Sequence, residues 1–247
     1  MTGERRMERP RGRPKESKAE REASRAEREI VRAEREREET LANWVPKTEL
    51  GKLVRTGKIT SIDEIFKQNK PIFESEIIDS LLVLKESLVD VKKTTRVVRA
   101  GRKFSFRVTV IVGNGNGYIG LGTAKDTEKW PAVKKATKNA KMHIVQVARG
   151  CGSWECTCNT QHSVPFKVLG KNAACRINLI PAPKGIGLVV GDNIKDVLKL
   201  AGVDDVWCKV TGATSTKLNF IKATIDALEK TMKMKVNDSI AKKREKP

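Results

Sequence analysis

Residues 96–125, RVVRAGRKFSFRVTVIVGNGNGYIGLGTAK, decide the fold. Between positions 104 and 112 the side chains alternate, with Phe104, Phe106, Val108 and Val110 on one face and Ser105, Arg107 and Thr109 on the other. That period of two is the mark of a half-buried strand. Gly113-Asn114-Gly115-Asn116-Gly117 follows as a tight turn, because Asn-Gly readily adopts the positive φ that a hairpin needs. Residues 118–123 read as the return strand, and the β-branched, basic run 89–98 as a strand before them. Gly115, Gly117 and Gly120 also fit G-x-G-x-x-G. That fingerprint requires a helix after the glycines. Here residues 118–121 read as a strand, so the hairpin reading is preferred.

Working outward, Pro131 sits in a first-turn position after the candidate caps Asp126 and Thr127, and opens a helix. Val133, Ala136, Ala140 and Ile144 form its apolar stripe. Lys134, Lys138 and Lys141 form a separate stripe, about 120° away on a 3.6-residue wheel. Upstream, Trp44, Val45 and Leu50 call for burial, and Ser61 with Glu64 makes a capping box for a helix holding Ile62, Ile65 and Phe66. Residues 77–84 read as a second helix. Residues 19–40 alternate Arg and Glu with Ala, a single helix held by pairs such as Arg32/Glu36 that is either simply solvated or an arm docking on a partner. Residues 1–18 are broken by Pro and Gly and are expected to be disordered in isolation.

Downstream, residues 151–163 form an irregular Gly/Cys-rich loop and a plausible domain junction. Strands are expected at 164–168, 174–180, 188–190 and 205–211. Asp192 caps a short helix over 194–200 that Gly202 ends. In the final helix Leu218, Ile221, Ile225, Leu228 and Met232 recur at spacings of 3, 4, 3 and 4, a buried stripe.

The chain of 247 residues has 50 Lys+Arg against 30 Asp+Glu, a formal net charge of +20. Residues 1–40 carry 13 basic and 11 acidic side chains, whereas residues 41–247 carry 37 and 19. The globular part therefore carries the field, and its partner is polyanionic. Aromatic residues are only 4%, which disfavours stacking on many splayed bases. No apolar run spans a bilayer, and residues 1–13 lack an apolar signal core. With five Cys and no secretion signal, reduced thiols and a cytoplasmic location are expected.

Arg96, Arg99, Arg102 and Lys103 cluster around Gly101. With the helix lysines they can meet the phosphates of a shaped RNA, whose deep major groove is closed to side chains. Cys151, Cys156, Cys158 and His162 are a candidate structural zinc set, although C-x4-C-x-C-x3-H is not a standard finger. The alternative is a loop of reduced thiols with His162 bonded to backbone. Cys175 and Cys208 fall in strand-like runs and read as small core residues. Catalysis has little support. His143 reads as a packed or surface residue, the acids Glu74, Glu76 and Asp79 as surface or capping groups, and no hydrolase, zincin or P-loop motif is present.

Residues 96–125 with the Pro-started basic helix resemble the N-terminal module of the small-subunit ribosomal protein five family, the universal S-five type. VPFKVLGKNAACRINLIPAPKGIGLVVGD (164–192) and AGVDDVWCKVTGATSTKLNFIKATIDAL (201–228) look like its C-terminal domain. WVPKTELGKLV and RGCGSWECTC resemble the archaeal branch, which is close to the eukaryotic S-two protein. The resemblance implies an α+β fold: a double-stranded-RNA-binding-like module, then a second βαβα-type two-layer domain, with a charged helical N-terminal arm outside the shared pattern. It implies a hairpin at Arg96, Val97, Val98, Arg99, Ala100, Gly101, Arg102 and Lys103 that contacts RNA. Bacterial relatives commonly carry Gly where this chain has Ala100.

The expected organisation is an arm at 1–40, a helical extension at 41–75, the RNA-binding-like module at 76–148, the Cys-rich junction at 149–163, the C-terminal α/β domain at 164–235 and a basic tail at 236–247. The expected function is a non-enzymatic constituent of the small ribosomal subunit, acting in assembly and accuracy near the mRNA entry path. The residues expected on rRNA are Arg96, Arg99, Gly101, Arg102, Lys103, Arg107, Lys134, Lys138 and Lys141. Expected partners are small-subunit rRNA and neighbouring proteins, especially the one numbered four, with no membrane, small-molecule substrate or required cofactor. A transient assembly or RNA-processing factor and a zinc-dependent RNA-modifying enzyme are the competing readings.

Overall fold

The computed structural model describes residues 35, 38–158 and 160–234. The chain divides into two compact units, residues 1–45 and residues 46–247. In the first unit, residues 35 and 38–42 are helical. The remainder of the expected arm helix, the segment 1–18 and the tail 236–247 lie outside the described residues.

The second unit begins with three short helices, α1 (Glu49–Arg55), α2 (Ile62–Lys67) and α3 (Ser75–Leu81). The first sheet follows: β1 (Lys85–Val98), β2 (Gly101–Gly113) and β3 (Tyr118–Asp126), then α4 (Lys129–Met142) and β4 (Ile144–Gln146), in the antiparallel order β1-β2-β3-β4. A second sheet, in the order β5-β6-β8-β7, comprises β5 (Val168–Asn172), β6 (Cys175–Pro181), β7 (Leu188–Val189) and β8 (Val206–Thr211). Helix α5 (Asp192–Ala201) joins β7 to β8, and α6 (Lys217–Met232) follows β8. Because β7 and β8 are parallel, they need a crossover, and α5 supplies it. The result is a two-domain α+β fold. No helix among the described residues is long and apolar enough to cross a membrane.

Both sheets pack their helices by the same device. Ala132, Ala136 and Ala140 form the buried line of α4, packed against Val108, Val110 and Val112 of β2. A Cβ added at Gly122 of β3 would lie 2.0 Å from the Ala136 carbonyl oxygen, so strand and helix backbones meet with no side chain between them. In the second sheet a Cβ at Gly170 of β5 would lie 2.0 Å from the Ala223 carbonyl oxygen of α6.

This packing keeps most of the two expected stripes, Ala136 and Ala140 in the first and Ile221 and Leu228 in the second, and corrects the rest. In α4 the stripe runs through Ala132 rather than Val133, and Ile144 belongs to β4. In α6 the buried residues are Phe220, Ile221, Ala223, Thr224, Ala227, Leu228 and Thr231, while Met232 is exposed. Large apolar side chains advertise a stripe in sequence, but close backbone approach selects small ones.

The expected polar face of β2 is only half polar. Arg107 and Ser105 are partly exposed, but Thr109 and Ile111 are buried. Ile111 and Ile119 join the core of the second domain with Ile177, Leu179, Val197, Leu198, Ile221 and Leu228. The β2–β3 turn docks on α5: Gly115 N donates to the Leu200 carbonyl at 2.9 Å and Gly117 N to that of Ala201 at 3.0 Å. The Arg149 guanidinium reaches the carbonyls of Gly115 (3.4 Å) and Gly202 (3.3 Å). The G-x-G run is therefore a hairpin turn serving as a domain contact.

Other local expectations shift. Ser61 is the N-cap of α2, but its hydroxyl bonds the Glu64 carboxylate (3.0 Å) instead of a backbone amide. Glu128, not Asp126 or Thr127, is the N-cap of α4, and Asp126 is drawn instead to Lys135 at 2.6 Å. Gly191 is the N-cap of α5, with Asp192 inside its first turn facing Lys195. Strand β5 begins at Val168, because the 164–167 segment follows the irregular loop closed by the Gly150–Ser163 bridge. Leu50 is buried but Val45 is 72% exposed; an isolated apolar residue at the surface is ordinary. Cys175 is buried as expected, while Cys208 is half-buried, and burial pushes its thiol up to about 11.

Short helices α1–α3 are held to one another and to the first sheet by polar contacts as well as apolar ones. The Glu74 carboxylate accepts from the Lys47 and Thr48 amides at 2.9 and 2.6 Å. Asp63 accepts from the Tyr118 hydroxyl and, at 2.9 Å, from Gln146 Nε2. Lys141, 16% exposed, pairs with Asp79 at 2.8 Å and Glu86 at 3.7 Å, tying α4 to α3 and β1.

Gly122→Ala and Gly170→Ala should each lower stability by about 1–3 kcal/mol in urea unfolding, since neither backbone can yield without repacking a helix. Lys141→Ala should cost about 1–2 kcal/mol, between the values for an exposed and a buried pair, while Lys134→Ala at the exposed face of the same helix stays within about 0.5 kcal/mol of wild type.

Candidate nucleic-acid interface and metal centre

The β1–β2 hairpin has a two-residue turn, Arg99-Ala100, which sets its register: Val98 opposes Gly101, Val97 opposes Arg102 and Arg96 opposes Lys103. Directly opposed residues point to the same face of a ribbon. Arg96, Lys103, Lys92 and Arg107 therefore share one face, with Thr94 and Ser105 between them. Arg102 stands on the other face with Val97, Thr95, Phe104 and Lys93. Lys93 Nζ lies 3.8 Å from the centroid of the Phe104 ring, a cation–π contact. Gly101 takes φ +128°, a region closed to side chains, whereas Ala100 does not have a positive φ. The conformational demand of this turn thus falls on Gly101, and an alanine at position 100 is accommodated.

Like charges directly opposed across a ribbon repel each other. Two such pairs, Arg96/Lys103 and Lys92/Arg107, occur on one face. Lys92 is partly offset by Asp90 at 3.5 Å. Arg96, Arg99, Arg102, Lys103 and Arg107 meet no carboxylate within ion-pair distance among the described residues. The ribbon from Gly101 to Phe104 and from Thr95 to Val98 is exposed on both faces.

Helix α4 contains no acidic residue, and its Lys134, Lys135 and Lys138 are exposed. Lys135 is committed to Asp126, whose carboxyl it holds below the usual range. Lys141 is committed to Asp79 and Glu86 and sits apart from the free lysines. The structure thus leaves Lys129, Lys134 and Lys138 as the outward cations of the helix. Lys92 and Lys93 add to the ribbon's cations. Counting back from a two-residue turn would have placed Lys92 opposite Arg107, so the signal was there. His143 caps the C-terminus of α4 and contacts the Asn139 carbonyl through Nδ1 at 2.8 Å, a surface role.

The Cys-rich loop is pinched shut by paired backbone bonds, Gly150 N to Ser163 O (2.8 Å) and Ser163 N to Gly150 O (2.9 Å). That bridge sets Cys151 beside His162, which flank it in sequence. The chain between folds back so that the ligand atoms of Cys151, Cys156, Cys158 and His162 all lie within 4.8 Å of one another. Cys156 Sγ is 3.0 Å from Cys158 Sγ and 3.9 Å from His162 Nε2. The thiols titrate unequally: hydrogen bonds from Cys156 and Thr160 bring Cys158 down to about 6, and burial with hydrogen bonding to the other two raises Cys151 to about 11. This Cys/His cluster can hold a metal ion. His162 Nδ1 does not meet backbone, as the thiol-loop alternative expected; it meets the Asp205 carboxylate at 2.8 Å. Asp205, 43 residues away, had no local signal in the sequence.

Residues 84–148 match the family described as ribosomal protein S5, N-terminal domain, and residues 170–244 the ribosomal protein S5, C-terminal domain. Similar proteins include the small ribosomal subunit protein uS5 of Methanothermobacter thermautotrophicus, 51% identical over 199 residues, covering 80% of this chain and 92% of that protein. The protein of the same name from Methanocaldococcus jannaschii is 52% identical over 187 residues (75% and 86%), and that of Staphylothermus marinus 50% over 196 (79% and 92%). With a cationic ribbon, a basic helix and matches to both domains over most of its length, the chain belongs to the ribosomal protein S5 family.

Proposed function

We propose that this protein is a structural, non-enzymatic constituent of the small ribosomal subunit in the cytoplasm, and that it grips small-subunit rRNA through the β1–β2 ribbon and helix α4. The observation that carries the reading is the solvated half of the ribbon, where Arg96 and Lys103 stand directly opposed and, with Arg99 and Arg102, meet no acidic partner among the described residues. Such an arrangement is electrostatically unfavourable alone and becomes favourable against phosphates, whose condensed counterions it displaces. Arg96, Lys103 and Arg107 serve one face of the ribbon and Arg102 the other, with Arg99 and Gly101 at the tip; Lys134 and Lys138 add a second contact. Lys141 acts here through the position of α4 rather than by touching RNA.

Residues 76–148 act as a double-stranded-RNA-binding-like module. The order helix, three antiparallel strands, helix in α3, β1–β3 and α4 supports that description. Phosphate and 2′-hydroxyl contacts read A-form shape without reading sequence. Residues 164–235 form the C-terminal domain, 149–163 the junction, 41–75 a helical extension and 1–40 a charged arm. We place the protein near the mRNA entry path, beside the small-subunit protein numbered four, where it contributes to assembly and translational accuracy.

We assign zinc to the Cys151/Cys156/Cys158/His162 cluster. A tetrahedral site with three thiolates and one imidazole has ligand–ligand edges of about 3.6–3.8 Å. The Cys156–His162 separation of 3.9 Å is close to that edge, and the Cys156–Cys158 separation of 3.0 Å must open slightly. Four protein ligands fill the tetrahedron and leave no open position for a reacting water, which favours a structural ion over a zinc-dependent RNA-modifying enzyme. Stoichiometric retention in salt-washed subunits distinguishes a resident constituent from a transient assembly factor.

The Arg102→Ala/Lys103→Ala variant should bind small-subunit rRNA more weakly, with the slope of log affinity against log salt reduced by roughly two units, one per lost phosphate contact. Cells relying on it should assemble fewer subunits or misread more. An unchanged salt slope together with normal subunit profiles and normal misreading would refute the assignment.

A further inference from the structure

Asp205 occupies a position that RNA binding does not require. It is 4% exposed, at the start of β8, and all of its visible bonds converge on the Cys/His loop and the turn before β7. One carboxylate oxygen, Oδ2, meets His162 Nδ1 at 2.8 Å. The other, Oδ1, accepts from Gly185 N at 3.1 Å and Gly187 N at 2.7 Å. The backbone repeats the link, since Asp204 N and Asp205 N both donate to the His162 carbonyl, at 2.9 and 3.1 Å.

With Oδ1 accepting from two amides, an ionised Asp205 accepts at Oδ2 as well, so the shared bond is donated by His162 Nδ1. That fixes the tautomer. Nε2 is left with its lone pair, and Nε2 is the nitrogen that faces the thiols, 3.9 Å from Cys156 Sγ. A buried carboxylate that orients a ligating imidazole in this way is the usual outer partner of a zinc-bound histidine.

Building on the zinc assignment above, we propose that Asp205 is a positioning residue for the metal centre, and that through it the ion fixes the exposed turn at residues 184–187. His162 held by the ion holds Asp205, and Asp205 holds the two glycine amides that shape the entry to β7. Loss of the ion frees the imidazole to rotate and weakens the shared carboxylate, so the turn loosens although it is more than 20 residues from every ligand in sequence. The zinc loop then has a purpose beyond its own folding: it links the junction between the two sheets to the parallel edge of the second sheet.

The test uses the full-length protein. Zinc content is measured first, followed by competition with a chromophoric chelator, the absorption spectrum of the cobalt-substituted protein, and amide exchange at Gly185 and Gly187 with and without zinc. Asp205→Asn and Asp205→Ala should weaken metal affinity by about 10–100-fold and shift the cobalt spectrum. Val203→Ala, a core change two residues from Asp205, should leave both unaltered. Chelating zinc from wild type should speed exchange at Gly185 and Gly187 more than at Gly170 in β5. Protein lacking zinc after purification and unable to bind it on titration would overturn the zinc assignment itself. Stoichiometric zinc with equal affinity in Asp205→Asn and wild type would instead overturn the role of Asp205 and leave the zinc assignment standing. If neither Asp205 variant folds, the wild-type exchange measurement decides alone: glycine amides indifferent to zinc removal refute the coupling.

Discussion

One strand in two environments governs this molecule. β2 runs without a break from Gly101 to Gly113. Over its last residues it is buried on both faces, by α4 on one side and by the second domain on the other. Over its first residues it is exposed on both faces and lined with cations. The buried half is the anchor, because apolar burial there fixes the strand's twist and register. The solvated half inherits that register and so presents its charges at defined positions, although like charges oppose each other across the ribbon. Without the double burial, the cationic half would have no reason to hold an unfavourable arrangement.

The same economy of side chains joins helix to strand in both domains. Gly122 lies under Ala136 and Ala140, and Gly170 under Ala223 and Ala227. These close approaches set α4 and α6 against their sheets at a fixed distance, so that Lys134 and Lys138 face outward from a rigid support. Other charges of α4 are handled differently. Lys141 is absorbed by Asp79 and Glu86, and Lys135 by Asp126. The protein therefore sorts its lysines, some into holding the fold together and others into an outward field.

Between the sheets, the Cys-rich loop and the glycine-rich turn act as the two fasteners of the domain junction. The turn is fastened by backbone bonds to the end of α5 and by Arg149. The loop is fastened by the Gly150–Ser163 bridge and by the His162–Asp205 contact. Each uses a short irregular segment whose polar backbone groups are satisfied across the boundary, so a buried connection carries few orphaned donors.

Local periodicity and turn chemistry in the sequence were enough to find the three-strand sheet, the basic helix, the second domain's final helix and the Cys/His cluster. They work because alternation, Asn-Gly turns and ligand chemistry act over a few residues. The hairpin cations were likewise legible, and even their two-face division follows from the turn. The tertiary structure alone decided which lysines of α4 are free, why alanines rather than larger residues line the sheets, that the polar face of β2 becomes core beyond Arg107, and that Asp205 serves His162. Each of these depends on groups brought together from distant parts of the chain, by backbone approach or by a carboxylate many residues away. A pattern read along one segment holds no record of what lies across from it.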